Sequence, residues 1–305
     1  MGARVSGLLQ WWRLLRPVNL VLIALTPAAL WAVLSTRILA EPLLHMRQVV
    51  LLGLAVALVA GAGNVVNDIA DRTIDALNER RNVLNEGFPV AGAWSVYVLL
   101  HVGAGLLTWQ LAGELDMWRY AVLLPVVALL LLLYAFTLKC QPVLGNVLVA
   151  ALCAGVPALV FLAEPALWQQ LGDSAAAQSL GAYVTFAFFG TWARELAKDV
   201  QDLDGDRRAG CATLAVRWPT RRLLALVWAC LFATAASVAF LAGLWYRAGG
   251  LAMCLSWSAL WLLLASVIAN VGTDFTAEAA TSLSKHLKLA LGFGLLILVF
   301  IGNAP

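Results

Sequence analysis

Seven of the ten aspartates in this chain fall in two short windows. GAGNVVNDIADRTIDALN carries Asp68, Asp71 and Asp75, and TWARELAKDVQDLDGDRRAG carries Asp199, Asp202 and Asp206, with Asp204 added. Both windows contain DxxDxxxD, so three acids recur at i, i+3 and i+7, which is one face of a helix. Asn64 and Glu195, each one turn earlier, extend those faces. Asp204 points away at helical phase and Gly205 weakens the helix beside it, so Asp204 reads as exposed or supporting. Carboxylates sharing a helix face repel one another, and a positive partner offsets the cost. Hard oxygen donors suit Mg2+ or Ca2+ rather than zinc, and Mg2+ shares its positions with water and substrate phosphates. Two such faces closing on one cavity would hold Mg2+ ions around a diphosphate, the metal neutralising charge on a leaving group. Lys198, Arg194, Arg72, Arg207 and Arg208 flank the clusters, and Lys139 ends a neighbouring apolar run, where phosphate oxygens could meet them. Either cluster alone reads equally as a solvated loop; a pair with matched spacing does not.

The elements that carry these clusters are written in lipid terms. Of the 305 residues 62% are hydrophobic and only 12% charged, and the mean hydropathy is +0.87. A soluble domain carries about a quarter charged residues, so the solvent for most of this chain is a bilayer. Apolar runs long enough to span one occur near 18–38, 49–66, 90–112, 119–138, 143–163, 179–197, 222–245, 250–271 and 287–303. The fold class expected is therefore all-α and integral to the membrane, a bundle of about nine transmembrane helices around a central cavity. No stretch reads as a separate soluble domain, and 1–305 is taken as a single domain.

The opening MGARVSGLLQWWRLLRP is basic and amphipathic and leads straight into a full-length apolar run, so the first helix is expected to be retained. Trp11 and Trp12 beside Arg13 and Arg16 suit a membrane interface. With the amino terminus inside, only Arg37, Arg47, Arg119 and Arg247 among the 20 basic residues fall on the far side. The positive-inside rule then puts both Asp clusters on the cytoplasmic face. A net charge of +3 is explained by that topology and gives no reason to invoke nucleic acid. The five cysteines are scattered without a CxxC pair or nearby histidines, which excludes a zinc site and leaves them as apolar fillers or loop residues.

Taken together, the motifs resemble the UbiA superfamily of intramembrane prenyltransferases over nearly the whole chain. LRPVN at Leu15 to Asn19 is similar to its first-helix opening, and Asn64 to Asp75 to its first signature. Tyr134, Lys139 and the pair Gly145 and Asn146 resemble its fourth-to-fifth helix connection, and RELAKDVQDLDGD with Gly210, Thr213 and Leu214 its second signature. The resemblance implies that Asp68, Asp71, Asp75, Asp199, Asp202 and Asp206 hold Mg2+ and act on the diphosphate of an allylic isoprenoid donor. It implies that Asn64, Asn67, Lys139, Lys198, Arg72, Arg194 and Asn146 contact the diphosphate or metal. Tyr134 would stabilise the allylic cation or orient the acceptor. The isoprenoid tail would lie among helices, with Phe186, Phe188, Phe189 and Trp192 as candidate lining, although packing in the core or against lipid accounts equally well for such rings. The partners implied are an isoprenoid diphosphate, a lipophilic acceptor and membrane lipid, in a bacterial or archaeal-type cell membrane.

Hydroxybenzoate-type members follow the first signature with an Arg-Pro element. Here NERRNVLNEGFPVAG places Asn82 and Val83 there, with Arg80 or Arg81 as substitutes. The second signature resembles the branch that prenylates geranylgeranylglyceryl phosphate, so the acceptor is either a prenylglyceryl phosphate or an aromatic quinone precursor. Three other classes compete. A CDP-alcohol phosphotransferase would need DGxxAR before GxxxDxxxD, which this chain lacks. A transporter would place isolated acids near the bilayer midplane. A catalytically inactive family member would keep the clusters for ion binding alone.

Overall fold

The computed structural model describes residues 7–39, 41–77, 81–170, 172, 174–247, 250–269, 271–272 and 275–303. Among these, every regular element is helical. That outcome follows from the solvent: lipid offers a backbone no hydrogen bonds, so each spanning segment satisfies its own. In chain order come α1 (Gly7–Leu15), α2 (Pro17–Arg37), α3 (Met46–Ala70), α4 (Arg72–Leu77), α5 (Val90–Leu115) and α6 (Arg119–Leu133). A π-helical turn (Tyr134–Leu138) precedes α7 (Leu144–Ala163), α8 (Leu167–Gln170), α9 (Ala175–Gln201), α10 (Leu203–Ala209) and α11 (Leu214–Arg217). Finally come α12 (Thr220–Arg247), α13 (Leu251–Ala269) and α14 (Ala277–Asn303).

Each apolar run read from the sequence centres on one helix: α2, α3, α5, α6 with its π turn, α7, α9, α12, α13 or α14. Seven of these helices are long and apolar enough, among the described residues, to cross a membrane. The other two are α7, which is apolar along its 20 residues, and α9, which has the length but is less apolar and carries Arg194, Glu195, Lys198 and Asp199 near its end. The chain is an integral membrane protein.

The chain divides into two compact units. The first comprises Met1–Leu25, Met46–Gln141 and Asp204–Cys211. Within it α3 packs against α5 and α6, and α1 lies on α3. Lipid tails are as apolar as leucine, so helix association there depends on close van der Waals fit and small residues. Gly63 shows the fit: a Cβ there would stand 3.2 Å from Leu131 of α6. Towards the end of α3, Leu14, Val65, Val83, Leu84, Phe88 and Ala93 form a buried cluster that seats the segment after Arg81.

A disulfide joins Cys140, just after the π turn, to Cys211, just after α10, across a sequence separation of 71. The sequence reading leaves all five cysteines unbonded, as fillers or loop residues, and the bond corrects it for these two loop positions. Only the fold brings these two together, so their spacing carried no sign of the bond. Cys153, Cys230 and Cys254 remain as free thiols.

The second unit comprises Thr26–His45, Pro142–Leu203 and Ala212–Pro305, and α9 is its central helix, packed by α7, α12 and α14. Glycine again sets the approach, because a Cβ at Gly294 of α14 would lie 2.7 Å from the Phe186 ring on α9. One buried acid here is structural. Glu164, 1% exposed, accepts the N–H groups of Leu43 and Leu44 at 3.0 and 2.8 Å. Trp31 Nε1 donates to the Leu44 carbonyl at 2.7 Å, which completes the tether. A carboxylate at this depth is tolerated because donors converge on it.

Candidate active site

The first cluster begins in the last turn of α3. Asp68 is buried, and its Oδ1 accepts a hydrogen bond from Arg16 Nη2 at 2.5 Å. Arg16 reaches it from an unusual backbone position, with φ +54°. Its N–H closes α1 on the Trp12 carbonyl at 3.0 Å, and Pro17 opens α2 immediately after. A non-glycine residue in that region costs about 1–3 kcal/mol and persists only where surrounding contacts hold it. Asn64 supplies such contacts: its Nδ2 donates to the Leu15 carbonyl at 3.1 Å, and its Oδ1 lies 3.4 Å from Arg16 Nη1.

Asp71 occupies the single turn residue between α3 and α4. Its carboxylate accepts from Lys139 Nζ at 2.5 Å, and both side chains are partly buried, at 29% and 16% exposure. The π turn delivers that lysine, whose N–H bonds the Tyr134 carbonyl five residues back at 2.9 Å. Such wide turns are frequent at functional sites. Tyr134 itself is buried at the start of the turn. Asp75, on α4, accepts from Asn82 Nδ2 at 2.8 Å. Arg72 is exposed, and its carbonyl accepts from Asn85 Nδ2 at 2.9 Å. Asn67 has a buried Oδ1 with no hydrogen-bond partner.

In the second cluster Asp199 sits half-buried on α9, its Oδ2 accepting from Asn146 Nδ2 of α7 at 2.8 Å. One turn earlier Glu195 is buried and holds two cations. Lys198 Nζ donates to its two oxygens at 2.8 and 2.9 Å, and Arg194 Nη1 to Oε1 at 3.1 Å. Asp202 caps the end of α9, its N–H bonding the Lys198 carbonyl at 3.0 Å. Asp206, on α10, is buried, and Asp204 is exposed, as its helical phase implied.

Both clusters depart from the uninterrupted helix face expected of i, i+3, i+7 spacing. The middle aspartate of each, Asp71 and Asp202, sits where one helix stops and the next begins. An interruption there lets like charges splay instead of stacking on one face. Most of the expected residues are engaged with one another: Lys139 with Asp71, Asn146 with Asp199, and Arg194 and Lys198 with Glu195. Arg16 and Asn82 were not anticipated as site residues. Arg16 lies within the LRPVN motif, where its basic charge suits the membrane interface equally well; Asn82 carries no local signal, since its partners lie 7 and 14 residues away across a turn. Arg80 lies outside the described residues, and Arg81 is exposed.

Among the described residues, no three His, Cys, Asp or Glu side chains converge closely enough to hold a metal ion. The donor set nevertheless fits a hard divalent cation, being all oxygen, and the orphaned Asn67 Oδ1 adds a buried acceptor beside Asp68 in sequence. Between α7 and α9 lies an apolar cavity of about 340 Å3. Phe188, Phe189, Ala154 and Ala158 line it, whereas Phe186 is fully buried and Trp192 stacks on Phe189 outside the lining set.

A sequence model described as the UbiA prenyltransferase family matches residues 21–299. The digeranylgeranylglyceryl phosphate synthase of Methanoregula boonei is 33% identical over 300 residues, covering 95% of this chain and 97% of its own. That of Methanoculleus marisnigri is 35% identical over 219 residues, covering 72% of this chain and 71% of its own. A solved structure concerned with digeranylgeranylglyceryl phosphate synthase in membranes superposes with a TM-score of 0.68, at 20% identity, over 98% of this chain and 99% of that one. The apo structure of a UbiA homolog from Aeropyrum pernix K1 gives a TM-score of 0.62, also at 20% identity, over 91% and 97%. These two likenesses show a shared fold.

Proposed function

We propose a specific reaction for this chain, which belongs to the UbiA prenyltransferase family and is a membrane-embedded prenyl-transferring enzyme. The reaction is Mg2+-dependent transfer of the geranylgeranyl group from its diphosphate to a prenylglyceryl phosphate, with release of pyrophosphate. Full-length relationship to proteins named for a product bearing two geranylgeranyl groups on glyceryl phosphate carries the choice of acceptor. The second signature, RELAKDVQDLDGD, points the same way, and the absence of an Arg-Pro element at Asn82 and Val83 weighs against a hydroxybenzoate-type acceptor.

In this reading Asp68, Asp71, Asp75, Asp199, Asp202 and Asp206 would hold the metal, and Asn67 Oδ1 would contribute beside Asp68. Bound Mg2+ would neutralise charge growing on the departing pyrophosphate. Lys139, paired with Asp71, and Lys198, paired with Glu195, would each offer an ammonium to a phosphate oxygen of the donor. Both act as point charges. Asn64, Arg72, Arg194 and Asn146 complete the diphosphate site, and Arg16 offsets the charge of Asp68. The carbon–oxygen bond of the donor breaks to leave an allylic cation, which the acceptor hydroxyl attacks as it gives up its proton. The Tyr134 ring would stabilise that cation with its π face. The basic residue distribution supports a cytoplasmic face for this chemistry, with the amino terminus inside.

An acceptor panel tests the assignment. Purified protein in nanodiscs with Mg2+ and labelled geranylgeranyl diphosphate is expected to convert a prenylglyceryl phosphate to a doubly prenylated ether. Prenylation of an aromatic quinone precursor instead, with no product from the glycerol phosphate, refutes the acceptor.

A further inference from the structure

The segment that follows α4 is held to the first Asp cluster by one buried amide. Asn82 is 2% exposed and uses both faces of its side chain. Nδ2 donates to the Asp68 backbone carbonyl at 2.8 Å and to Asp75 Oδ2 at 2.8 Å. Oδ1 accepts from the Leu84 N–H at 3.0 Å. The orientation of the amide is fixed by these partners, because a flip would set its oxygen against two other oxygens and its NH2 against an N–H.

Each contact has a reason. The Asp68 carbonyl belongs to the last turn of α3, whose carbonyls lack partners within the helix, so the amide caps it. The Leu84 bond folds the chain back, and the Asn82 carbonyl accepts the N–H groups of Asn85 and Glu86 at 3.0 and 3.1 Å. The folded segment is then seated by Val83, Leu84 and Phe88 in the core cluster and by the Arg13–Glu86 ion pair at 2.6 Å. What remains is the second Nδ2 hydrogen, aimed at Asp75. Asp75 stands on a helix of 6 residues just past the interruption at Asp71, where helix packing alone gives little rigidity. A buried donor anchored at both ends orients the Asp75 carboxylate.

We infer that Asn82 is a positioning residue for the transfer reaction: it aims the Asp75 carboxylate at the bound divalent cation while capping α3. This rests on the reading above that Asp75 is a metal ligand. Partners that orient metal ligands typically change metal affinity by 10–100-fold when removed.

The test is a double-mutant cycle read by Mn2+ binding, followed by electron paramagnetic resonance in the presence of inorganic pyrophosphate. It uses the full-length protein in nanodiscs as wild type, Asn82→Ser, Asp75→Asn and the double variant. Asn82→Ser is expected to weaken Mn2+ by about tenfold in the wild-type background and by less than about twofold once Asp75 is asparagine. A residue that merely stabilises the turn would lower affinity by the same factor in both backgrounds, and that result overturns the inference. Wild-type Mn2+ affinity in Asp75→Asn alone overturns it as well, through the failure of the ligand reading beneath it. Asn82→Ala, which removes the donor without adding a charge, carries the same cycle if the serine variant does not fold.

Discussion

Replacing Lys139 by methionine keeps the long apolar stem and removes the ammonium. In the structure that ammonium meets Asp71 at 2.5 Å with both side chains more than two-thirds buried, at 29% and 16% exposure. A hydrogen bond to a charged group is worth about 1.5–3 kcal/mol, more than an exposed ion pair. If the lysine passes to a phosphate oxygen when donor binds, the same magnitude is lost from donor binding. At 1.4 kcal/mol per tenfold, the donor KM should rise roughly 10- to 100-fold. Lys139→Arg keeps the charge but not the compact geometry, and should fall between. Steady-state kinetics with geranylgeranyl diphosphate varied at saturating Mg2+ measure this, alongside a metal titration. The metal titration discriminates, since losing a competitor for Asp71 should leave metal half-saturation unchanged or lower. A donor KM within twofold of wild type, together with a lowered melting temperature, would show that Lys139 only neutralises Asp71 and takes no part in binding phosphate.

Three further outcomes are expected elsewhere in the chain. Alkylation under denaturing, non-reducing conditions should label the three free cysteines, and all five after reduction; Cys140→Ser should expose a new thiol at Cys211, with up to about 4 kcal/mol of chain-entropy stabilisation lost. Glu164→Ala strands two backbone N–H groups and should lower stability by about 2–4 kcal/mol in a denaturation series, with Glu164→Gln intermediate and the specific activity of the folded fraction unchanged. Asn146→Ala removes the amide from Asp199 and should weaken the apparent Mg2+ affinity by about tenfold, read by metal titration of turnover.

The helical membrane architecture was legible because lipid imposes length and apolarity on each span, and every apolar run found its helix. The two acidic clusters were legible for a related reason: charge is scarce in such a chain, so repeated aspartate spacing stands out. Spacing could not reveal the interruptions at Asp71 and Asp202, where charge repulsion competes with helix propagation. Nor could it reveal partners chosen by folding. Arg16 reaches Asp68 from 52 residues away, through a backbone conformation its residue type rarely adopts. Asn82 looks like a turn residue in the sequence, and only its burial beside Asp68 and Asp75 makes it part of the site. The Cys140–Cys211 bond is invisible for the same reason, since nothing local pairs them.

The claim that both acidic clusters act on one metal-bound diphosphate is tested most directly by turnover of Asp68→Asn and Asp202→Asn, one from each cluster. With saturating Mg2+ and geranylgeranyl diphosphate, each should lose at least about 100-fold in pyrophosphate release, since on the proposed reading each removes a charge that would hold the metal where the leaving group departs. Chelation of the metal should abolish release in the wild type. Turnover near the wild-type rate in either variant would mean that its cluster is a solvated helix end and that the chemistry lies elsewhere.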